Sequence, residues 1–199
     1  MRAVILDIGG VLEYTPPTGH TAAWEAKLGL APGELDRRMH DVWRAGSLGT
    51  ISEREVHAAF AERLALSPAD VDRFFAGVWE EYLGSLNAEL TEWFAGLRPR
   101  YRTAIISNSF VGAREREQER YGFEELTETI VYSHEVGVRK PDPAIYLLAC
   151  ERLGVRPGEV VYLDDKEIAV EGARAVGMTA VRFRNNAQAI AEIERLLAG

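Results

Sequence analysis

The chain has 199 residues, a formal net charge of −8 and 47% hydrophobic residues, which fits a globular core domain with at most a modest insertion. The acidic charge disfavours nucleic acid and anionic membranes as partners, and a single cysteine, Cys150, excludes a disulfide framework within the chain. No apolar stretch approaches the roughly 20 residues of a membrane span, and the N-terminal apolar run is too short for a signal peptide, so we expect a cytoplasmic protein.

The first predicted element is a short buried strand from Ala3 to Leu6, which ends at Asp7 and the Gly9-Gly10 pair. A run of β-branched and apolar residues closed by two glycines is typical of a strand that enters a tight loop. The alternative, the first turn of a helix, is disfavoured because the glycines follow at once. Asp7 is therefore expected at the carboxyl end of a strand.

A helical segment follows, over residues 21–83. Apolar residues recur through it at helical spacing. Ser52 and Glu55 form a capping box, and Ser67-Pro68 opens a further helix. Successive helices with no strand between them predict a small helical bundle.

After Asn87 the pattern alternates between helix and strand. We predict strands at 102–106, 130–132, 160–163 and 179–183, and helices at 88–97, 113–120, 143–153, 168–176 and 187–198. This alternation predicts an α/β fold, a doubly wound parallel sheet with helices on both faces. Because the first strand must join that sheet, the bundle is an insertion. We predict an α/β core of residues 1–15 and 86–199 and a helical cap of residues 16–85.

Polar residues follow the ends of the predicted strands, where sites form in open α/β sheets. In chain order they are Asp7, Ser107, Asn108, Lys140, Asp164 and Asp165. One lysine cannot neutralise three carboxylates, so an all-oxygen site of this kind predicts a hard divalent cation, with magnesium the default. An aspartate beside such a cation and a lysine suits in-line attack on phosphorus, with Ser107 donating a hydrogen bond to a phosphate oxygen.

Each of these elements also has a purely structural interpretation. Residues 107–109 could form a turn or cap a helix, and Lys140 could be a solvated loop charge. The acids at 164–165 could cap the helix that follows. The order and spacing of all four elements favour the catalytic interpretation.

Four segments resemble the four motifs of the haloacid dehalogenase superfamily. They read Val-Ile-Leu-Asp-Ile-Gly-Gly-Val-Leu, Ile-Ile-Ser-Asn-Ser, Gly-Val-Arg-Lys-Pro-Asp-Pro-Ala-Ile-Tyr and Val-Tyr-Leu-Asp-Asp. The resemblance covers essentially the whole chain, and the helical insertion is similar to the family's cap placed after the first motif. It implies a Rossmann-like core and a Mg²⁺-dependent phosphatase that acts on a small phosphorylated metabolite.

The resemblance also implies a role for each site residue. Asp7 would form an aspartyl-phosphate, Ser107 with Asn108 would bind the phosphoryl group, and Lys140 would bridge the nucleophile and the phosphate. The implied metal ligands are Asp7, the Gly9 carbonyl and Asp165, with Asp164 beside them.

The pattern breaks at Gly9. Phosphatases of the family usually carry a second aspartate there, which protonates the leaving alkoxide, and such help is typically worth about 10²–10⁴ in rate. Glycine predicts a slow phosphatase, an acid supplied by Glu13, Tyr14 or His20, or no phosphatase activity. Glucose-1-phosphatase-like proteins, which this chain resembles, also carry glycine here and are assigned as phosphatases. The alternatives are a non-catalytic binding protein of this fold and a metal-independent 2-haloacid dehalogenase, which the acids at 164–165 disfavour.

Four further features carry expectations of their own. Trp43 and Arg44 are the cap residues that we expect to contact substrate. Cys150 is expected to be an inert buried thiol, and the charged run 114–120 a solvated helix face. His134 is expected in a loop. Neither the substrate nor the oligomeric state follows from the pattern.

Overall fold

A parallel sheet of five strands forms the centre of the protein, and the computed structural model describes residues 1–199. The strands in chain order are β1 (Ala3–Leu6), β2 (Glu13–Tyr14), β3 (Ser85–Leu86), β4 (Arg102–Ser107), β5 (Thr129–Tyr132), β6 (Val160–Asp164) and β7 (Thr179–Arg182). The sheet order is β5-β4-β1-β6-β7, while β2 and β3 pair antiparallel by themselves. This arrangement confirms the predicted α/β fold with its parallel sheet.

Eleven α-helices and one short 3₁₀ turn complete the fold. The helices are α1 (His20–Leu28), α2 (Glu34–Ser47), α3 (Glu53–Leu64), α4 (Pro68–Leu83), α5 (Ala88–Ala95), α6 (Ala113–Tyr121), α7 (Phe123–Leu126), α8 (Ser133–Val136), α9 (Pro143–Leu153), α10 (Glu167–Ala175) and α11 (Asn186–Ala198), and the 3₁₀ turn is Pro157–Glu159. None of the helices combines the length and the apolar character that crossing a membrane requires.

Both faces of the sheet are buried, which explains why its strands read as continuous apolar runs. Val4 and Leu6 of β1 pack on one face with residues of α5 and α11. Ala3 and Ile5 pack on the other face with residues of α9 and α10. Successive side chains of a strand point to opposite faces, so one short strand contributes to two hydrophobic cores.

Helices α1 to α4 pack around a third apolar cluster, in which Phe60, Phe74 and Phe75 contact one another. The predicted capping box is present, since Ser52 accepts a hydrogen bond from the Glu55 N–H at the start of α3. Strands β2 and β3 carry the chain out of the core and back. We propose that residues 16–85 form the cap and the remaining residues the core, because the paired strands β2 and β3 flank this interval.

Two expectations are wrong in detail, and one pair of strands was not predicted. His134 lies in α8 and not in a loop. Glu117 is fully buried in α6, although the charged run around it suggests a solvated face. The pair β2 and β3 is absent from the sequence prediction. The two-residue strands β2 and β3 are too short to show a hydrophobic period. Glu117 accepts a hydrogen bond from the Tyr132 hydroxyl, a tertiary contact that no local pattern reports.

Candidate active site

The carboxyl ends of β1, β4 and β6 bring the candidate residues to one edge of the sheet. Leu6, the last residue of β1, is in register with Ile105 of β4 and Leu163 of β6. The next residue, Asp7, donates its N–H to the Leu163 carbonyl at 3.0 Å. Asp7, which follows β1, and Asp164, the last residue of β6, therefore lie at the same level of neighbouring strands.

Lys140 lies between these two aspartates. Its Nζ is 2.7 Å from Asp7 Oδ1 and 2.7 Å from Asp164 Oδ2, and it donates to the Ile106 carbonyl at 3.2 Å. The side chain is buried. Burial lowers the pKa of Lys140, but the charges of Asp7 and Asp164 outweigh it and raise the pKa above its ordinary value. The lysine is therefore cationic at neutral pH, with all three donors engaged.

Asn108 holds the lysine through its main chain. Its Nδ2 donates to the Lys140 carbonyl at 3.0 Å, and its Oδ1 accepts from the Lys140 N–H at 2.8 Å. The side-chain amide is therefore committed to positioning the lysine. The contact between Asn108 and the phosphate stays a prediction. Because the side-chain amide is engaged, the main chain of Asn108 would have to make it.

The two acids at the end of β6 have different surroundings. Asp164 is fully buried and accepts from the Lys166 N–H at 2.8 Å, from the Tyr162 hydroxyl and from Lys140. Asp165 is half-buried; its Oδ2 is 2.7 Å from Lys166 Nζ, while its buried Oδ1 has no partner. Contacts within the chain thus orient Asp164, whereas Asp165 has an oxygen available to a bound ligand.

The residues present fit a hard divalent cation. Oxygens of Asp7, Asp164 and Asp165 lie within 4.8 Å of one another. Burial raises the pKa of Asp7 to about 8, with Lys140 opposing and Asp164 adding to the shift; a bound cation would lower this pKa and favour the carboxylate form. The Gly9 carbonyl accepts no hydrogen bond within the chain. An all-oxygen set with one unpartnered buried oxygen is the chemistry that magnesium selects.

Gly10 makes room for the Asp165 carboxylate. Its φ is +78°, and a Cβ at this position would lie 2.7 Å from Asp165 Oδ2. We expect Gly10→Ala to destabilise the fold by about 1–2 kcal/mol through the left-handed backbone. We also expect about tenfold weaker magnesium binding, because the carboxylate is displaced. Thermal unfolding and calorimetric titration with Mg²⁺ measure the two effects.

Gly9 provides the matched control for this substitution. A Cβ at Gly9 would meet nothing within 4 Å, and its φ lies outside the left-handed region. Gly9→Ala should therefore leave both measurements nearly unchanged. Equal magnesium affinity in Gly10→Ala and the wild type would contradict the placement of the metal at Asp165.

A crevice between the core and α2 gives access to these residues. Its larger part has a volume of about 1000 Å³ and is lined by Asp7, Lys140, Asp164 and Asp165. Its smaller part, of about 330 Å³, is lined by Ser107, which is buried to 2% exposure. Gly9, Trp43 and Asn108 line both parts. The nucleophile candidate Asp7 and the serine predicted to bind phosphate, Ser107, thus line the two parts of one crevice.

The three residues considered as substitutes for the missing acid are placed differently. Glu13 and His20 line the smaller part of the crevice, whereas Tyr14 is 43% exposed and does not. The His20 Nε2 is 2.8 Å from the Phe74 carbonyl. Glu13 is 1% exposed, and burial, Glu117 and Asp7 together raise the pKa of Glu13 to about 9. Glu13 is therefore a neutral acid at neutral pH, on the same wall as Gly9.

The cap contributes to the crevice through α2. Trp43 and Arg44, expected from the sequence to contact substrate, line its larger part, and so do His40, Ser47 and Leu48. Sequence reasoning missed Tyr162, Arg139 and Ile168. Tyr162 lies inside an apolar strand with no feature that distinguishes it. Arg139 immediately precedes Lys140, and that adjacency is the one signal available for it.

Cys150 is buried, and burial raises the pKa of its thiol to about 11, as expected of an inert residue.

Comparisons with known proteins agree on one family. A family profile described as haloacid dehalogenase-like hydrolase matches residues 1–177. The N-acetylmuramic acid 6-phosphate phosphatase of Pseudomonas aeruginosa is 28% identical over 92% of this chain and 82% of its own length. Acyl-CoA dehydrogenase family member 10 of Mus musculus is 26% identical over 98% of this chain, which spans 19% of that protein.

The solved structures show the same fold. A haloacid dehalogenase family enzyme from Bacteroides thetaiotaomicron, in complex with magnesium and inorganic phosphate, superposes with a TM-score of 0.79 at 20% identity. The superposition covers 92% of this chain and 94% of that one. At this level of identity the likeness concerns the arrangement of strands and helices.

Proposed function

This chain belongs to the haloacid dehalogenase-like hydrolase family, and on that basis we propose that it is a Mg²⁺-dependent phosphatase of small phosphomonoesters. The observation that carries the proposal is the set of contacts around Lys140, which is 2.7 Å from both Asp7 and Asp164 beside the unpartnered oxygen of Asp165. Phosphatases among the relatives, and the magnesium and phosphate bound in the Bacteroides thetaiotaomicron enzyme, support the same activity.

In the proposed reaction, Asp7 attacks phosphorus. An Oδ of Asp7 forms a bond to phosphorus while the bond to the substrate oxygen breaks, which produces an aspartyl-phosphate and an alkoxide that takes up a proton. Water then hydrolyses the aspartyl-phosphate to phosphate and free Asp7. The Ile8 N–H, 2.7 Å from Asp7 Oδ1, and the Lys140 ammonium orient the nucleophile.

The other residues bind and orient. Ser107 donates its hydroxyl to a phosphate oxygen, and Lys140 neutralises part of the charge of the phosphoryl group. The proposed magnesium ligands are Asp7, Asp165 and the Gly9 carbonyl, with Asp164 held beside them by Tyr162 and Lys166. Bound magnesium supplies positive charge to the phosphoryl oxygens.

The leaving alkoxide needs a proton donor, and Gly9 has no side chain that could donate one. Of the candidates, only Glu13 is buried, lines the crevice beside Gly9 and Ser107, and has an oxygen without a hydrogen-bond partner, so Glu13→Gln tests whether the native protein has a donor. A substrate with a good leaving group needs no such donor. We therefore expect faster turnover of aryl than of alkyl phosphates.

The activity is tested with the purified protein, p-nitrophenyl phosphate and a panel of small alkyl phosphomonoesters. We expect phosphate release with Mg²⁺ and none after chelation. Without the metal, no positive charge offsets the carboxylates, which then repel the phosphate. No release from any phosphomonoester would favour a non-catalytic binding protein of this fold. Chloride release from 2-chloropropionate without metal would favour the dehalogenase alternative, which the acids at 164–165 disfavour.

A further inference from the structure

Arginine and lysine side chains line only the larger part of the crevice. Its arginines are Arg44 of α2 and Arg139, which immediately precedes Lys140. The larger part is also lined by two lysines and four aspartates, whereas the acidic residues of the smaller part are Glu13 and Glu81. What distinguishes the two arginines is whether their charge is already paired.

Neither arginine has a partner within the chain. Both are exposed, and the acids three residues away are engaged elsewhere. Asp41 is bound by Arg63 at 2.6 Å, and Asp142 caps α9 by accepting from the Ala144 N–H at 2.9 Å. The two guanidinium groups thus present unused donors to the crevice of a protein whose net charge is −8.

The transferred phosphate does not need these two charges. Lys140 and the proposed magnesium already face the phosphoryl position, and the larger part of the crevice, at about 1000 Å³, exceeds what a phosphate fills. Arginine binds carboxylate and phosphate groups through paired hydrogen bonds, which makes it suited to a second anion. One arginine from the cap and one from the core could hold that anion together.

We propose that the substrate carries a second anionic group, a carboxylate or a further phosphate, which Arg44 and Arg139 bind in the larger part of the crevice. The proposal rests on the phosphatase function proposed above. It narrows the substrate class to phosphomonoesters with an additional negative charge and assigns a specificity-determining role to both arginines.

Two matched probes test it. Glycerol 3-phosphate and 3-phosphoglycerate share one phosphoester and differ in a hydroxymethyl group against a carboxylate. With Mg²⁺ we expect kcat/KM to be at least tenfold higher for 3-phosphoglycerate, mainly through KM. Arg44→Gln and Arg139→Gln should each lower that value by about tenfold, as expected for loss of a charged hydrogen bond, while leaving glycerol 3-phosphate nearly unchanged.

The matched control is Arg54→Gln, which removes an exposed charge from α3 outside the crevice and should leave both probes unaffected. Equal turnover of the two probes, or an equal loss for both in the arginine variants, would overturn the proposal. In the second case the arginines would serve the transferred phosphate alone.

Calorimetric titration separates this proposal from the phosphatase function. If neither probe is hydrolysed, p-nitrophenyl phosphate and the panel of phosphomonoesters decide the phosphatase function, and the binding of each probe to the wild-type protein with Mg²⁺ decides the second-anion site. Binding of 3-phosphoglycerate about tenfold tighter than glycerol 3-phosphate, lost in Arg44→Gln and Arg139→Gln, would support the site. Equal binding would refute it.

Discussion

Replacing Asp7 by asparagine should abolish phosphate release from p-nitrophenyl phosphate, with a fall in kcat of more than about 10⁴. The amide has nearly the size and shape of the carboxylate, so the fold has no steric reason to change. Its oxygen is a poor nucleophile, and it carries no charge for Lys140, 2.7 Å away in the native protein. The aspartyl-phosphate therefore cannot form.

Asp72→Asn is the matched control, because it makes the same exchange at an exposed position of α4. It should keep full activity. Circular dichroism and thermal unfolding of both variants exclude a loss through misfolding, and mass spectrometry of acid-quenched protein should find the phosphoryl group on the peptide that contains Asp7. Turnover that survives Asp7→Asn would assign the nucleophile to another group.

Restoring the missing acid by Gly9→Asp should raise kcat for alkyl phosphomonoesters by about 10²-fold or more, the usual scale of general acid catalysis. The structure permits the substitution, since a Cβ at Gly9 meets nothing within 4 Å. The gain should be small for p-nitrophenyl phosphate, whose leaving group departs without a proton. Steady-state kinetics across leaving groups of different pKa measure the difference.

Gly9→Asn controls for size without supplying a proton, and it should show no gain. If Gly9→Asp fails to accelerate alkyl substrates, the native protein already has a donor. Glu13→Gln then becomes the decisive variant, because Glu13 shares the wall of the crevice with Gly9. A loss confined to alkyl substrates would identify Glu13 as that donor.

The fold was predictable from the sequence where the hydrophobic pattern is long. The helix predicted at 143–153 is observed as Pro143–Leu153, and the strands predicted at 102–106 and 160–163 each extend one residue further. The four-residue strand β1 was also predicted, because it is apolar throughout, whereas α8 and the β2–β3 pair were not. A two-residue pairing such as Glu13 with Leu86 depends on segments more than 70 positions apart along the chain, which no local pattern reports.

The sequence indicated which residues lie at the candidate site, but it did not indicate which contacts each of them makes. Strand ends indicated Asp7, Ser107, Asp164 and Asp165, because parallel strands bring their carboxyl ends together. The different surroundings of Asp164 and Asp165 were not predictable, since they depend on the Tyr162 hydroxyl and the Lys166 N–H. The same holds for the engagement of Asn108 with the Lys140 main chain.

The hydrogen bonds between Asn108 and the Lys140 main chain join two loops that are distant in sequence into one cooperative unit. Asn108 and Lys140 are 32 residues apart and are joined by a pair of hydrogen bonds. If either loop opened, the lysine would leave Asp7 and Asp164, and the two buried carboxyl groups would lose their shared counterion. Local unfolding at this edge of the sheet therefore breaks two buried ion pairs at once, so the loops should open together and rarely, although loops are ordinarily the first parts of a protein to fray.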